Sequence, residues 1–173
     1  MPYEKNIIHI MGHIVYIVLY GLLTIFSILF YNSINLAALL YVGWITLVFG
    51  IIIVLSSSQS RKKSRVSENG ISKETFVESG LYSFVRHPEF LGHILIIFSL
   101  IFIAQHLLNL VIGAVMIVLL CFAMIEEEKR NIEKFGVSYR DYMERVPRIN
   151  SLTGIIRQMR RRKENKKGRI LKR

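Results

Sequence analysis

One cysteine, one tryptophan and three prolines are spread over 173 residues. A lone Cys121 excludes a disulfide framework, and its apolar surroundings predict a small buried hydrophobe. Charge is missing over much longer distances. None occurs in the 55 residues from Asn6 to Ser60, nor in the 36 from Phe90 to Ile125. Coupled transport usually needs an ionisable group inside a span, so these empty runs count against a small four-span transporter. Lys5 gives a weak positive start, but no small-residue cleavage pattern follows before the second apolar run, which disfavours a signal peptide.

What fills the chain instead is apolar: 52% of residues, with a mean hydropathy of +0.40. That composition predicts an all-α integral membrane protein. The two uncharged stretches have room for about four transmembrane helices of ~20 residues. The first span is read as Ile7 to Phe30, the second as Leu36 to Leu55, with Tyr31 to Asn35 as a turn. The second stretch is too long for one crossing. It predicts a C-terminal helical hairpin, Phe90 to Ala104 and Leu108 to Ile125, turning at Gln105-His106-Leu107. Halves of about 16 residues rise only ~24 Å, short for a ~30 Å hydrocarbon core. Four segments follow: two N-terminal spans over 1–55, a polar stretch over 56–88, the hairpin and its continuation over 89–148, and a tail over 149–173.

The formal charge of +11 is uneven. Residues 129–173 carry 16 basic and 4 acidic side chains, whereas 1–128 carry 7 and 8. Both expected outer turns lack lysine and arginine, so the positive-inside rule places the termini and the 56–88 segment in the cytoplasm. Leu152, Ile155, Ile156 and Met159 alternate with arginines as in a basic amphipathic helix lying on a membrane surface. Anionic lipids are the partner expected of this tail. No reading motif accompanies the charge, which argues against nucleic acid. Past Phe135 the helix is expected to stop at Gly136. Ser138 and Asp141 read as a capping box opening a short helix that puts Tyr139, Tyr142 and Met143 on one face and closes at Pro147.

A folded-back hairpin brings its ends together. Upstream stands Arg86-His87-Pro88-Glu89-Phe90-Leu91-Gly92, with Pro88 suited to a first helical turn and the helix N-terminus favouring an anion. Downstream stands Glu126-Glu127-Glu128, whose carboxylates oppose the helix dipole and call for a compensating cation. A carboxylate-binding end facing an ammonium-binding end suits an amino-acid moiety. His9 and His13 share an i, i+4 spacing, yet no third ligand joins them. Helix contacts, not a metal, are the reading adopted.

Over Val77 to Arg148 the chain carries Gly80-x-Tyr82, Arg86-His87-Pro88, Phe90 and Gly92. After the hairpin come Glu127-Glu128, Phe135-Gly136-x-x-Tyr139-x-x-Tyr142 and Arg145-Val146-Pro147. This order resembles the isoprenylcysteine carboxyl methyltransferase family and the related membrane phospholipid methyltransferases. The resemblance implies methyl transfer from S-adenosylmethionine to a lipophilic acceptor, such as a prenylated substrate, entering from the bilayer. It implies a cofactor site at Tyr82, His87, Pro88, Phe90, Gly92, Glu127, Glu128, Tyr139 and Tyr142. Phe90 stands where tyrosine is usual and Asn131 where leucine is common. A carboxylate acceptor needs no base, and Arg86 and Arg145 are the candidates to orient it. An amine acceptor must lose a proton, to Glu127, Glu128 or Glu89. A nicotinamide-dependent reductase and a non-enzymatic membrane adaptor are the competing readings.

Overall fold

The computed structural model describes residues 2–65 and 76–149, with side chains over 11–61 and 76–149. The expected tail helix at 152–159 lies outside them. Five α-helices make up the described chain: α1 (Pro2–Leu29), α2 (Ala37–Arg65), α3 (Pro88–Ala104), α4 (Leu107–Phe135) and α5 (Val137–Arg145). A short 3-10 turn at Gly80–Ser83 precedes α3. The protein is all-α and membrane-embedded. α1, α2 and α4 are long and apolar enough to cross a bilayer, whereas α3 has 17 residues and rises about 26 Å.

The chain divides into two compact units, one of Met1–Ile51 with Gly92–Ala123, the other of Ile52–Leu91 with Met124–Arg173. In the first, the helices present large apolar side chains outward: Ile17, Ile28, Tyr41, Phe49 and Phe122 are all mostly exposed. Such a surface is stable only in hydrocarbon. Cys121 joins it, exposed on α4 and not buried as its neighbours suggested. An apolar run wraps all round a helix, so composition alone cannot say which face turns inward.

Small residues set the helix crossings. A Cβ on Gly50 would stand 2.8 Å from Ile96 Cγ1 and 3.0 Å from the Gly92 carbonyl oxygen. One on Gly43 would meet Ile103 at 2.8 Å, and one on Gly113 would meet Ile101 Cδ1 at 2.5 Å. Since lipid tails compete equally for apolar contact, close backbone approach is what favours association here. Polar contacts add direction. Asn109 Nδ2 donates to Ser27 Oγ at 2.8 Å and to the Leu23 carbonyl at 3.2 Å, and Ser27 Oγ donates to Leu100 O at 3.1 Å.

The hairpin turns at Gln105, whose φ is +53°. Its side chain accepts from Leu36 N at 3.0 Å and donates to Leu36 O at 2.9 Å. Asn32 N and Ser33 N donate to the carbonyls of Ile103 and Ala104, so the last carbonyls of α3 are satisfied without water. At the other end α4 runs to Phe135, and Gly136 at φ +58° separates it from α5, as expected of a helix-stopping glycine. The capping box does not form. α5 begins at Val137 with Gly136 at its cap and no side-chain cap bond, so Ser138 already lies within the helix.

Gly50→Leu is expected to lower stability in detergent by about 1–3 kcal/mol through overpacking against α3, read as a fall in thermal midpoint. Gly21→Ala, where an added Cβ meets nothing within 4 Å, is expected to leave the midpoint unchanged or slightly raised.

Candidate functional site

In the second unit the two motif segments meet through main chain first. The Arg86 N–H donates to Pro147 O at 3.0 Å and the His87 N–H to Arg148 O at 3.2 Å. Both donors lie just before α3, where no helical carbonyl is available to them, and both acceptors follow the end of α5. Glu128, on α4, sits among the side chains this junction brings together. Its side chain is 5% exposed. His87 Nε2 lies 3.1 Å from Oε1, and Arg148 grips both oxygens, Nε to Oε1 at 3.1 Å and Nη2 to Oε2 at 2.5 Å.

Arg86 Nη1 stands 2.9 Å from Glu128 Oε1, but the angle is not that of a hydrogen bond. Arg86 Nε and Nη1 are therefore buried with no hydrogen-bond partner among the described residues. Its guanidinium contributes charge to Glu128 and keeps donors to spare. The cation that the acidic triplet required is thus present twice: Arg86 with Arg148 for Glu128, and Arg61 for Glu127. Arg61, from α2, hydrogen-bonds Glu127 Oε1 at 3.3 Å and lies 3.1 Å from Glu89 Oε2.

An aromatic layer backs the charges. Tyr139, Tyr142 and Val146 form a buried cluster against Phe76, Ile132, Phe135 and Met143. The ring of Phe76 packs 5.2–5.3 Å from those of Phe135, Tyr139 and Tyr142. Burial raises the Tyr142 hydroxyl well above the usual phenol range, reinforced by Tyr139 and Glu78, so it stays protonated and donates to the Tyr82 carbonyl at 2.7 Å. Burial also raises the Tyr82 phenol, though Arg61 pulls it back by donating Nε–H to its oxygen at 2.8 Å. Gly80, at φ +65°, permits the turn that presents Tyr82.

These groups enclose an open cleft of about 200 Å3. Tyr82, Arg86, His87, Glu127, Tyr139 and Tyr142 line it, all six anticipated from the motif pattern. Other expected residues lie elsewhere. Glu128 holds the cleft's basic wall from outside its lining. Pro88 is fully buried at the start of α3, and Phe90 packs edge-on against the His87 ring at 5.5 Å. Gly92 belongs to the helical crossing with Gly50. Arg145 is exposed and paired with Glu78 at 3.2 Å, outside the cleft lining.

The motif reading did not assign Arg61, Phe76, Val77, Lys134 or Phe135 to the lining, nor Asn131, whose Nδ2 lies 3.4 Å from the Tyr139 hydroxyl. Arg148 was missed as the main grip on Glu128. The unpaired acidic triplet was the signal for Arg61 and Arg148. Sequence could show that cations were needed, not which ones.

Glu128→Gln is expected to cost about 3 kcal/mol or more, because Arg86 and Arg148 would lose their counter-charge. Arg145→Ala, which breaks an exposed pair, should cost under ~1 kcal/mol. Chemical unfolding of the detergent-purified variants measures both, and equal losses would contradict the placement of Glu128 at the centre.

Among curated proteins, methanethiol S-methyltransferase 1 of Bradyrhizobium diazoefficiens is 30% identical to this chain over 119 residues. That alignment covers 66% of this chain and 40% of the relative, so the chain spans well under half the relative's length. No solved structure matches significantly. Residues 3–146 match a family described as a protein of unknown function (DUF1295), and the chain belongs to that family.

Proposed function

We propose that this chain is a membrane methyltransferase that takes its methyl group from S-adenosylmethionine and delivers it to a lipophilic acceptor carrying an anionic nucleophile. The observation that carries this reading is the polarity of the cleft. Arg86, with unspent donors, stands in one part of its wall, and Glu127 offers a carboxylate in another. Such a wall receives a carboxylate and an ammonium together, the two ends of an amino-acid moiety. The space, about 200 Å3, equals roughly seven liquid water volumes, room for the amino-acid end of the donor.

The residues present suit that end of the donor. Arg86 would hold the carboxylate by charge-assisted hydrogen bonds, and Glu127 the ammonium. When bound, the donor supplies a methyl group already activated on a sulfonium. The aromatic wall of Phe76, Phe135 and Tyr139 offers an apolar side to the cleft, and Glu128 with His87 keeps the Arg86 edge in place. Positioning is what such a transfer needs most.

The acceptor class follows from the same wall. Arg61, Arg86 and Lys134 line the cleft against one acidic group, Glu127. Cationic surroundings attract an anionic nucleophile and disfavour an ammonium-bearing lipid. Carboxyl O-methylation of an isoprenylcysteine-type substrate, the expectation from sequence, is compatible with it. So is S-methylation of a thiolate, which the name of the Bradyrhizobium relative supports. Phospholipid N-methylation is the less favoured. The orientation with both termini and the cleft on the cytoplasmic side, and the tail on anionic lipid, belong to this proposal. Arg145 does not.

Membranes containing the protein, given donor with a labelled methyl group, are expected to yield a labelled lipophilic product. Volatile methanol after mild base marks an ester, and base-stable label marks a methylated amine, an ether or a thioether. Arg86→Ala is expected to weaken donor binding by about 10- to 100-fold, the worth of a charged hydrogen bond. Labelling that is absent, or binding that Arg86→Ala leaves untouched, overturns the reading.

A further inference from the structure

Arg61 reaches the cleft from α2, outside the motif-bearing segments, and its contacts are unevenly satisfied. Nε is fixed, donating to the Tyr82 hydroxyl at 2.8 Å, with the cation 6.0 Å from the Tyr82 ring centroid. Nη2 is shared. It hydrogen-bonds Glu127 Oε1 at 3.3 Å while standing 3.1 Å from Glu89 Oε2 without hydrogen-bond geometry. Glu89 Oε2 is buried and has no hydrogen-bond partner among the described residues. Two carboxylates thus divide one guanidinium nitrogen, and the one left wanting turns a buried oxygen toward it.

Arg61 thus sets one positive charge against two negative ones. A second positive group arriving at Glu127 would let each carboxylate have its own. The Tyr82 bond holds one edge of the guanidinium, so a small turn of the other edge suffices to give Glu89 its missing donor. Both half-buried pairs are alike in exposure, at 29% for the Glu89 side chain and 26% for Glu127, so neither position is strongly preferred by burial. Near-equality is what a switch requires.

We propose that Arg61 is a two-position latch on the ammonium subsite. With the subsite empty it hydrogen-bonds Glu127; when a ligand ammonium reaches Glu127, the Nη2 bond passes to Glu89. Glu89 is then a positioning residue that acts through Arg61 and touches no ligand. This deepens the function proposed above and rests on Glu127 as the ammonium-holding group. No bond to carbon changes; only hydrogen bonds are exchanged.

The latch gives two substitutions opposite signs, which a merely structural role does not. Glu89→Gln removes the charge that receives Arg61, so Arg61 stays on Glu127 and competes with the ligand. Arg61→Gln removes the competitor. The probes are S-adenosylhomocysteine, whose only cation is its ammonium, and methylthioadenosine, which lacks the amino-acid moiety. Each is titrated calorimetrically into the full-length chain in detergent. Glu89→Gln is expected to weaken S-adenosylhomocysteine roughly three- to tenfold, and Arg61→Gln to tighten it by a similar factor. Neither should move methylthioadenosine by more than about twofold.

Weakening of S-adenosylhomocysteine by both substitutions overturns the latch, as does an unchanged affinity in Glu89→Gln. Should Arg61→Gln fail to fold, Glu89→Gln alone decides, through the contrast between the two probes. A wild-type chain that binds neither probe overturns the methyltransferase reading, and the latch with it. A wild-type chain that binds both, with no contrast between variants, overturns the latch alone.

Discussion

A buried carboxylate holding three basic side chains is the constraint on which the rest of the second unit depends. Glu128 cannot be left alone in that position, and neither can Arg86 or His87. Arg148, His87 and Arg86 come from two segments far apart in sequence, joined across α4 by one side chain. The cluster is weak evidence for stability, because desolvation offsets much of the attraction. It is strong evidence for specificity of placement, because any other packing leaves a charge unpaired.

The same economy runs through the first unit by different means. There the helices carry no charge between Asn6 and Ile51 or between Gly92 and Ala123, and glycine crossings and the Asn109–Ser27 contact set their packing. Gln105 closes both the N–H and the C=O of Leu36, doing with one amide what water would do outside a membrane. Polar atoms in both units are few and nearly all are matched. Among the described residues the exceptions include Arg86 Nε and Nη1 and Glu89 Oε2 in the second unit, and Tyr16 Oη, Asn32 Oδ1 and Asn109 Oδ1 in the first.

Much of this was legible in the chain itself. Two uncharged stretches of 55 and 36 residues define the helices, and the hairpin turn at Gln105 and the stop at Gly136 follow from length and glycine chemistry. Arg86, His87, Glu127, Tyr139 and Tyr142 could be grouped because a hairpin returns both ends together. Arg61, Phe76 and Arg148 could not, since their roles depend on rotations of helices and loops that no periodicity records. Arg145 shows the converse. It stands beside Val146 and Pro147 in the motif, yet its place on α5 turns it to Glu78. The helix start at Val137 was hidden for a related reason: one glycine in the left-handed region reverses the chain so sharply that no capping side chain is used.

The paired N–H bonds from Arg86 and His87 to the carbonyls of Pro147 and Arg148 are made by main chain, not side chain. Their survival is indifferent to most replacements at those positions but intolerant of any change in segment length. Adding or deleting one residue between Gly136 and Pro147 would slide Arg148 off Glu128 while every side chain remained intact. Divergent copies of this chain should therefore keep the count of that stretch even where its exposed positions differ in spelling.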